Sequence, residues 1–139
     1  MTKHEAIAEV ARFWWEKAQE SQKAARRDLA AGAYALAINR AYYALFYAVS
    51  ALLLEEGHRF KKHSDVRAAF NQHPIKTGRL NRRHGNLYNE LFDKRLEGDY
   101  LVFTRFDASY VREKIDAGEE FVSDLRPLLR SLPPIARRD

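Results

Sequence analysis

Three clusters in this 139-residue chain combine side chains that hold anions or move protons. The first is Asn39-Arg40-Ala41-Tyr42-Tyr43-Ala44-Leu45-Phe46-Tyr47. On a helix, Arg40 and Tyr47 come within about 20° of each other, with Tyr43 on much the same face. That stripe offers a guanidinium for a phosphate and phenol rings on which a base can stack. The same residues also have a plain structural account, in which Arg40 pairs with an acid of another helix and the tyrosines pack with satisfied hydroxyls. The second cluster runs through Lys76, Thr77-Gly78, Arg79, Arg82, Arg83 and His84. A turn, a helix start and several cations suit an anion, because the first amides of a helix are themselves donors. The spacing is not that of a Walker loop, and the alternative is a solvated basic face. The third is Arg95-Leu96-Glu97-Gly98-Asp99-Tyr100. The functional reading here is a polar cluster at a helix end, facing a groove. An Arg–Asp ion pair at i, i+4 is the structural alternative.

Other chemistries are excluded by composition and pattern. There is no Cys, which removes disulfides, thiolate metal sites and a cysteine nucleophile. His58, His63, His73 and His84 lack a His-Glu-x-x-His arrangement and read as surface or capping residues. No Gly-x-Ser-x-Gly elbow occurs. Neither a metal nor a cofactor is expected. The net charge of +5 comes from 24 Lys+Arg against 19 Asp+Glu, and it is unevenly placed. Residues 58–84 carry eight Lys/Arg and one Asp, a local balance of +7, so the rest of the chain sums to −2. A basic window of that kind suits a nucleic acid.

The elements that position these clusters read as helices. Thr2 and Glu5 form a capping-box pattern for a first helix that Gly32 ends. A second, apolar almost all round, runs over residues 33–56 and stops at Gly57; residues 58–62 form a loop. A short third helix over 65–71 is broken at His73-Pro74. A fourth spans about 79–98, with Gly85 inside it marking a kink or a close approach. Asp107 caps a fifth over about 108–132, which Pro127 kinks. The expected architecture is all-α, a four- to five-helix up-and-down bundle forming a single domain over residues 1–132, with 133–139 a short, frayed basic tail. The longest apolar run, residues 41–54, is shorter than the ~20 residues of a bilayer span. With no hydrophobic signal core near Met1, the expected location is the cytoplasm, away from membranes. A second helix apolar on every side predicts a symmetric homodimer.

Residues 39–46 resemble the Arg-Ala-Tyr-Tyr-Ala-x-Phe signature of small prokaryotic HEPN-domain proteins. Lys62-His63-Ser64-Asp65 to Phe70, Ile75-Lys76-Thr77-Gly78, and Leu91-Phe92-Asp93-Lys94-Arg95 with Asp99-Tyr100 resemble the same subfamily in the same order. The resemblance covers roughly residues 10–125. It implies a helical bundle that is usually dimeric and often encoded beside a minimal nucleotidyltransferase as a toxin–antitoxin pair. It also implies, for active members, metal-independent endoribonuclease chemistry from an Arg and a His with four to six residues between them. Two pairs match that spacing, Arg67…His73 and Arg79…His84, and random placement gives about as many. At the end of the fourth helix the chain has Arg95, Asp99 and Tyr100 without a His.

Two readings of function follow. One is a HEPN protein that binds RNA or a nucleotide and cleaves RNA as the toxin of such a pair, with Arg95, Asp99 and Tyr100 facing Arg40 and Tyr47 across a groove; Arg95 would hold the phosphate, and Asp99 would orient it or act as a base. The other is a non-catalytic helical dimer that binds a nucleotide or a nucleotidyltransferase. A weaker third is a basic nucleic-acid binder using residues 58–84, whose affinity falls steeply with salt.

Overall fold

The computed structural model describes residues 1–100 and 105–133, with residues 97–100 described as helix backbone only. Among these are five α-helices and no strand: α1 (Lys3–Ala30), α2 (Tyr34–Glu55), α3 (His63–Phe70), α4 (Arg82–Tyr100) and α5 (Ala108–Leu125). The start of α1 is a true capping box. The Glu5 amide donates to Thr2 Oγ1, and the Thr2 amide donates to Glu5 Oε2, each at 3.1 Å. At the other end Gly32 takes φ +74°, which lets the chain reverse into α2 within three residues. The resulting antiparallel pair is close because small residues face the seam. Ala11, Ala18 and Ala25 of α1 and Ala37, Ala41, Ala44, Ala48 and Ala51 of α2 are all buried.

The centre of the bundle is α2. Ile38, Tyr42, Leu45, Val49, Leu52 and Leu53 are each at most 1% exposed, and α1, α3, α4 and α5 all pack on it. Its length and mean hydropathy of 1.3 would suffice to cross a bilayer, yet 61% of that stretch is buried inside the bundle. One chain therefore covers most of the helix that, from the sequence, called for a second copy.

Three boundaries differ from expectation, each for a local reason. The chain does not break at Pro74. It widens into a π turn over Asn71–Ile75, with the Lys76 amide reaching back to the Asn71 carbonyl at 3.1 Å. Proline has no amide to offer the ordinary ladder, and a wider turn accommodates its ring. The fourth helix begins at Arg82 rather than Arg79, because Asn81 Oδ1 accepts the Arg83 amide at 2.9 Å, as N-cap residues do. At Pro127, α5 does not kink but ends, at Leu125, and passes into a 3-10 turn over Arg126–Leu128. The amides of Arg130 and Ser131, freed by that ending, both donate to the Glu55 carboxylate at 2.8 Å. Gly85, by contrast, does mark a close approach: a β-carbon there would lie 3.2 Å from both Asn71 Oδ1 and Ile75 Cγ2.

Candidate functional site

Arg95 sits near the end of α4, half-buried against aromatic rings from α2 and from its own helix. Its guanidinium carbon is 4.8 Å from the ring centre of Tyr42, 5.7 Å from Phe92 and 5.8 Å from Tyr43. Nη1 donates to the Tyr43 hydroxyl at 3.4 Å. Nε is buried without a hydrogen-bond partner among the described residues, and no carboxylate among them pairs with the group. The rings hold the cation through its faces, which leaves its charge and one buried donor without a counter-ion from those residues.

The neighbour that completes the site is His63, the first residue of α3. Its ring lies flat on Phe46, with centroids 4.1 Å apart and planes within 3°. Nδ1 is 2.8 Å from the Tyr42 hydroxyl. Burial, with a smaller contribution from the Arg95 charge, holds the imidazole below its ordinary pKa. Burial also pushes the Tyr42 phenol up to about 12, against opposing effects of the Tyr88 hydroxyl and Arg95. The buried Tyr88 hydroxyl makes no hydrogen bond of good geometry among the described residues, yet it lies near enough to influence Tyr42. At neutral pH the arrangement is one permanent cation beside a neutral imidazole and neutral phenols. Such a set has the chemistry to bind one anion and exchange one proton. If Nδ1–H donates to Tyr42, then Nε2 on the far side of the ring accepts a proton; in the other tautomer, Nε2–H donates to the anion.

The remaining candidates have separate fates. In the Arg40 stripe, Tyr43 and Tyr47 lie with ring centres 5.7 Å apart, but each member also has a partner of its own. Arg40 Nε is 3.8 Å from Asp28 Oδ2 of α1, Tyr43 serves Arg95, and Tyr47 stacks on Trp14 at 5.4 Å. In the second cluster, Arg79 pairs with Glu56 at 3.0 Å. Arg83 pairs with Glu120 at 2.6 Å and Asp124 at 3.5 Å. His84 is buried, with Nε2 2.8 Å from Asp124 Oδ2 and its ring against Phe121. Lys76 and Arg82 are both exposed. The two Arg…His spacing matches place their side chains elsewhere: Arg67 lies over Phe92 at 4.1 Å and pairs with Asp93, and His73 stacks on His58 at 5.1 Å. The side chains of Asp99 and Tyr100 lie outside the described residues. Among the described residues no group of three or more His, Asp or Glu could hold a metal ion.

The sequence singled out Arg95 as a candidate but not His63, which reads there as a surface or capping residue. The only signal was its place in the Lys62-His63-Ser64-Asp65 stretch, which carried no role.

A model of the HEPN domain matches residues 11–128. A UPF0332 protein of Thermotoga maritima is 40% identical over 132 residues, which is 95% of this chain and 98% of that one. A Methanocaldococcus jannaschii protein bearing the name "Putative toxin" is 34% identical over 102 residues, covering 71% of this chain and 69% of its own. In fold, the chain is similar to the crystal structure of TT1696 from Thermus thermophilus, with a TM-score of 0.71 at 20% identity over 86% of this chain and 98% of that one. An all-α bundle, a family match over most of its length and a relative aligned nearly end to end agree: the chain belongs to the HEPN domain family.

Proposed function

We propose that the protein binds RNA at Arg95 and cleaves it without a metal, acting as a toxin. The observation that carries this reading is the Arg95 guanidinium, unneutralised among the described residues, beside a neutral, partly buried His63. Arg95 holds the phosphodiester through its charge and its free donors. His63 Nε2 takes the proton from the ribose 2′-hydroxyl as that oxygen attacks phosphorus. The 5′-oxygen leaves with a proton from solvent, which yields a 2′,3′-cyclic phosphate and a free 5′-hydroxyl. Tyr42 distinguishes the two ring nitrogens by holding Nδ1. Names of two M. jannaschii relatives as "Putative toxin" support the toxin part. The test is incubation of the purified protein with total RNA in EDTA. Cleavage that Arg95→Ala and His63→Gln each abolish supports the reading; no cleavage by the wild type, or cleavage indifferent to Arg95→Ala, sinks it.

A second reading is a non-catalytic module that binds a nucleotide or a nucleotidyltransferase partner. It is favoured by the engagement of both spacing-matched Arg…His pairs in other contacts. Co-purification with a minimal nucleotidyltransferase encoded next to it, in the absence of any RNA cleavage, supports this version. We also propose a homodimer. With most of α2 covered within one chain, its support is now the apolar surface left outside, at Val10 and Phe13 of α1 and Leu36 of α2, each 44–49% exposed. Light scattering at micromolar concentration decides it, and a monomer rules it out.

A further inference from the structure

Next to the Arg95–His63 pair lies a cavity of about 490 Å³, between the first turns of α1, the end of α2 and the 58–61 loop. It shares two side chains with that site, Phe46 and His63. Its wall is apolar and partly aromatic, with Trp14, Phe46 and Phe60 among its members. Trp14 is held in place by Tyr47, whose ring lies at 18° to it. Three cations line the cavity, Lys3, Arg59 and Lys61, and no Asp or Glu does. None of the three has an ion pair among the described residues.

We infer that this cavity receives an unpaired nucleobase of single-stranded RNA, the one adjoining the phosphate at Arg95. This rests on the RNA reading above. Three observations lead to it. The volume lies in the range of about 300–1,000 Å³ typical of small-molecule sites, so a nucleoside fits with room to spare. The wall carries three aromatic side chains, and every base has a π-face that stacks on such rings whatever its sequence. The charged side chains on the rim are all cationic, which matches a ligand whose backbone is an anion and gives a neutral one no such advantage. Continuity through Phe46 and His63 sets the cavity beside the Arg95 site, the arrangement a base and its adjoining phosphate require. A double helix is excluded as occupant, because its bases are stacked inside and cannot enter a pocket. Besides the cations, the polar side chains on the wall are few, Ser50 and the imidazoles of His58 and His63 among them, so readout of the base edge is slight and the site tolerates different bases.

Tryptophan fluorescence tests this, since Trp14 lines the cavity. The full chain is titrated with adenosine monophosphate, uridine monophosphate, adenosine and decanoate, with Trp14→Phe identifying the responding ring. Both monophosphates are expected to quench saturably, and adenosine to bind several-fold more weakly in low salt. Phe60→Ala, a substitution at an exposed loop position, is expected to weaken both monophosphates by about tenfold. Binding of decanoate but of neither nucleotide would overturn the inference. So would nucleotide binding that Phe60→Ala leaves unchanged. An RNA oligonucleotide separates this from the parent reading. If Arg95→Ala abolishes RNA binding and cleavage while Phe60→Ala alters neither, the cavity inference fails and the RNA site stands. If the monophosphates bind and Phe60→Ala weakens them, yet RNA is neither bound nor cut, the RNA reading fails and the cavity remains a mononucleotide site.

Discussion

His63 and Arg95 make separable contributions, and substitution should separate them. Removing a positioned general base costs about 10²–10⁴-fold in rate. His63→Gln is therefore expected to slow RNA cleavage by that much while changing the RNA dissociation constant less than about threefold. Arg95→Lys keeps the charge but loses the flat group that lies over Tyr42 and Phe92, and should weaken RNA binding by about tenfold. Filter binding and gel-based cleavage on the same samples read both. His63 also leaves a mark on stability. Its pKa is lower folded than unfolded, chiefly through burial, so near and below its ordinary value the unfolded chain takes up the proton first. Stability is then full above that value and falls as the solution is acidified toward the folded value. Thermal unfolding at about pH 5.5 should lie below that at about pH 7.5, and the gap should narrow in His63→Phe, which keeps a ring on Phe46. An equal gap in the two proteins would show that His63 does not titrate this way.

At the scale of helices, two glycines make opposite predictions although both sit inside helices. Gly118 of α5 has room: a β-carbon there would meet Leu45 Cδ2 at an ordinary 3.7 Å. Gly118→Ala should stabilise by about 0.5–1 kcal/mol, the difference in helix propensity. Gly85 has none, since Asn71 and Ile75 close on it at 3.2 Å. Asn71 cannot easily yield, because its side chain is bonded to the Arg67 carbonyl at 2.8 Å and to Asn89 at 3.0 Å. Gly85→Ala should cost about 1–3 kcal/mol, and urea midpoints of the two variants should move in opposite directions. These elements also show what sequence reveals. The capping box at Thr2 and Glu5, the reversal at Gly32 and the Asp107 cap were legible because each signal lies within a few residues of its effect. Pro74 and Pro127 announced an interruption but not its form, since a π turn and a 3-10 exit depend on what else accepts the freed amides, such as Glu55. The site divides in the same way. Arg95 was legible from its local polar cluster. His63 gains its role from Tyr42, 21 residues away, and from Arg95 on another helix, and no local pattern encodes that meeting.

For the molecule as a whole, the question is how much of the basic window is free to meet RNA. Counted along the sequence, residues 58–84 carry +7. In the folded chain Arg67, Arg79 and Arg83 each face a carboxylate, from Asp93, from Glu56, and from Glu120 with Asp124. Those pairs tie the bundle's surface and reduce its field. Around the proposed groove stand four cations without such partners among the described residues: Lys3, Arg59 and Lys61 at the cavity, and Arg95 at the phosphate. Single-stranded binding loses about 0.7 in log K per log unit of salt for each phosphate neutralised. Four contacts thus predict a slope of about −3. If instead the eight cations of the window all engaged RNA, the slope would be about −6. Anisotropy of a labelled single-stranded oligonucleotide, measured from low to moderate NaCl, distinguishes the two. A slope near about −3 that falls to about −2 in Arg95→Ala places RNA in the groove beside His63. A slope near about −6, or one that Arg95→Ala leaves unchanged, moves it to the basic window and away from the site.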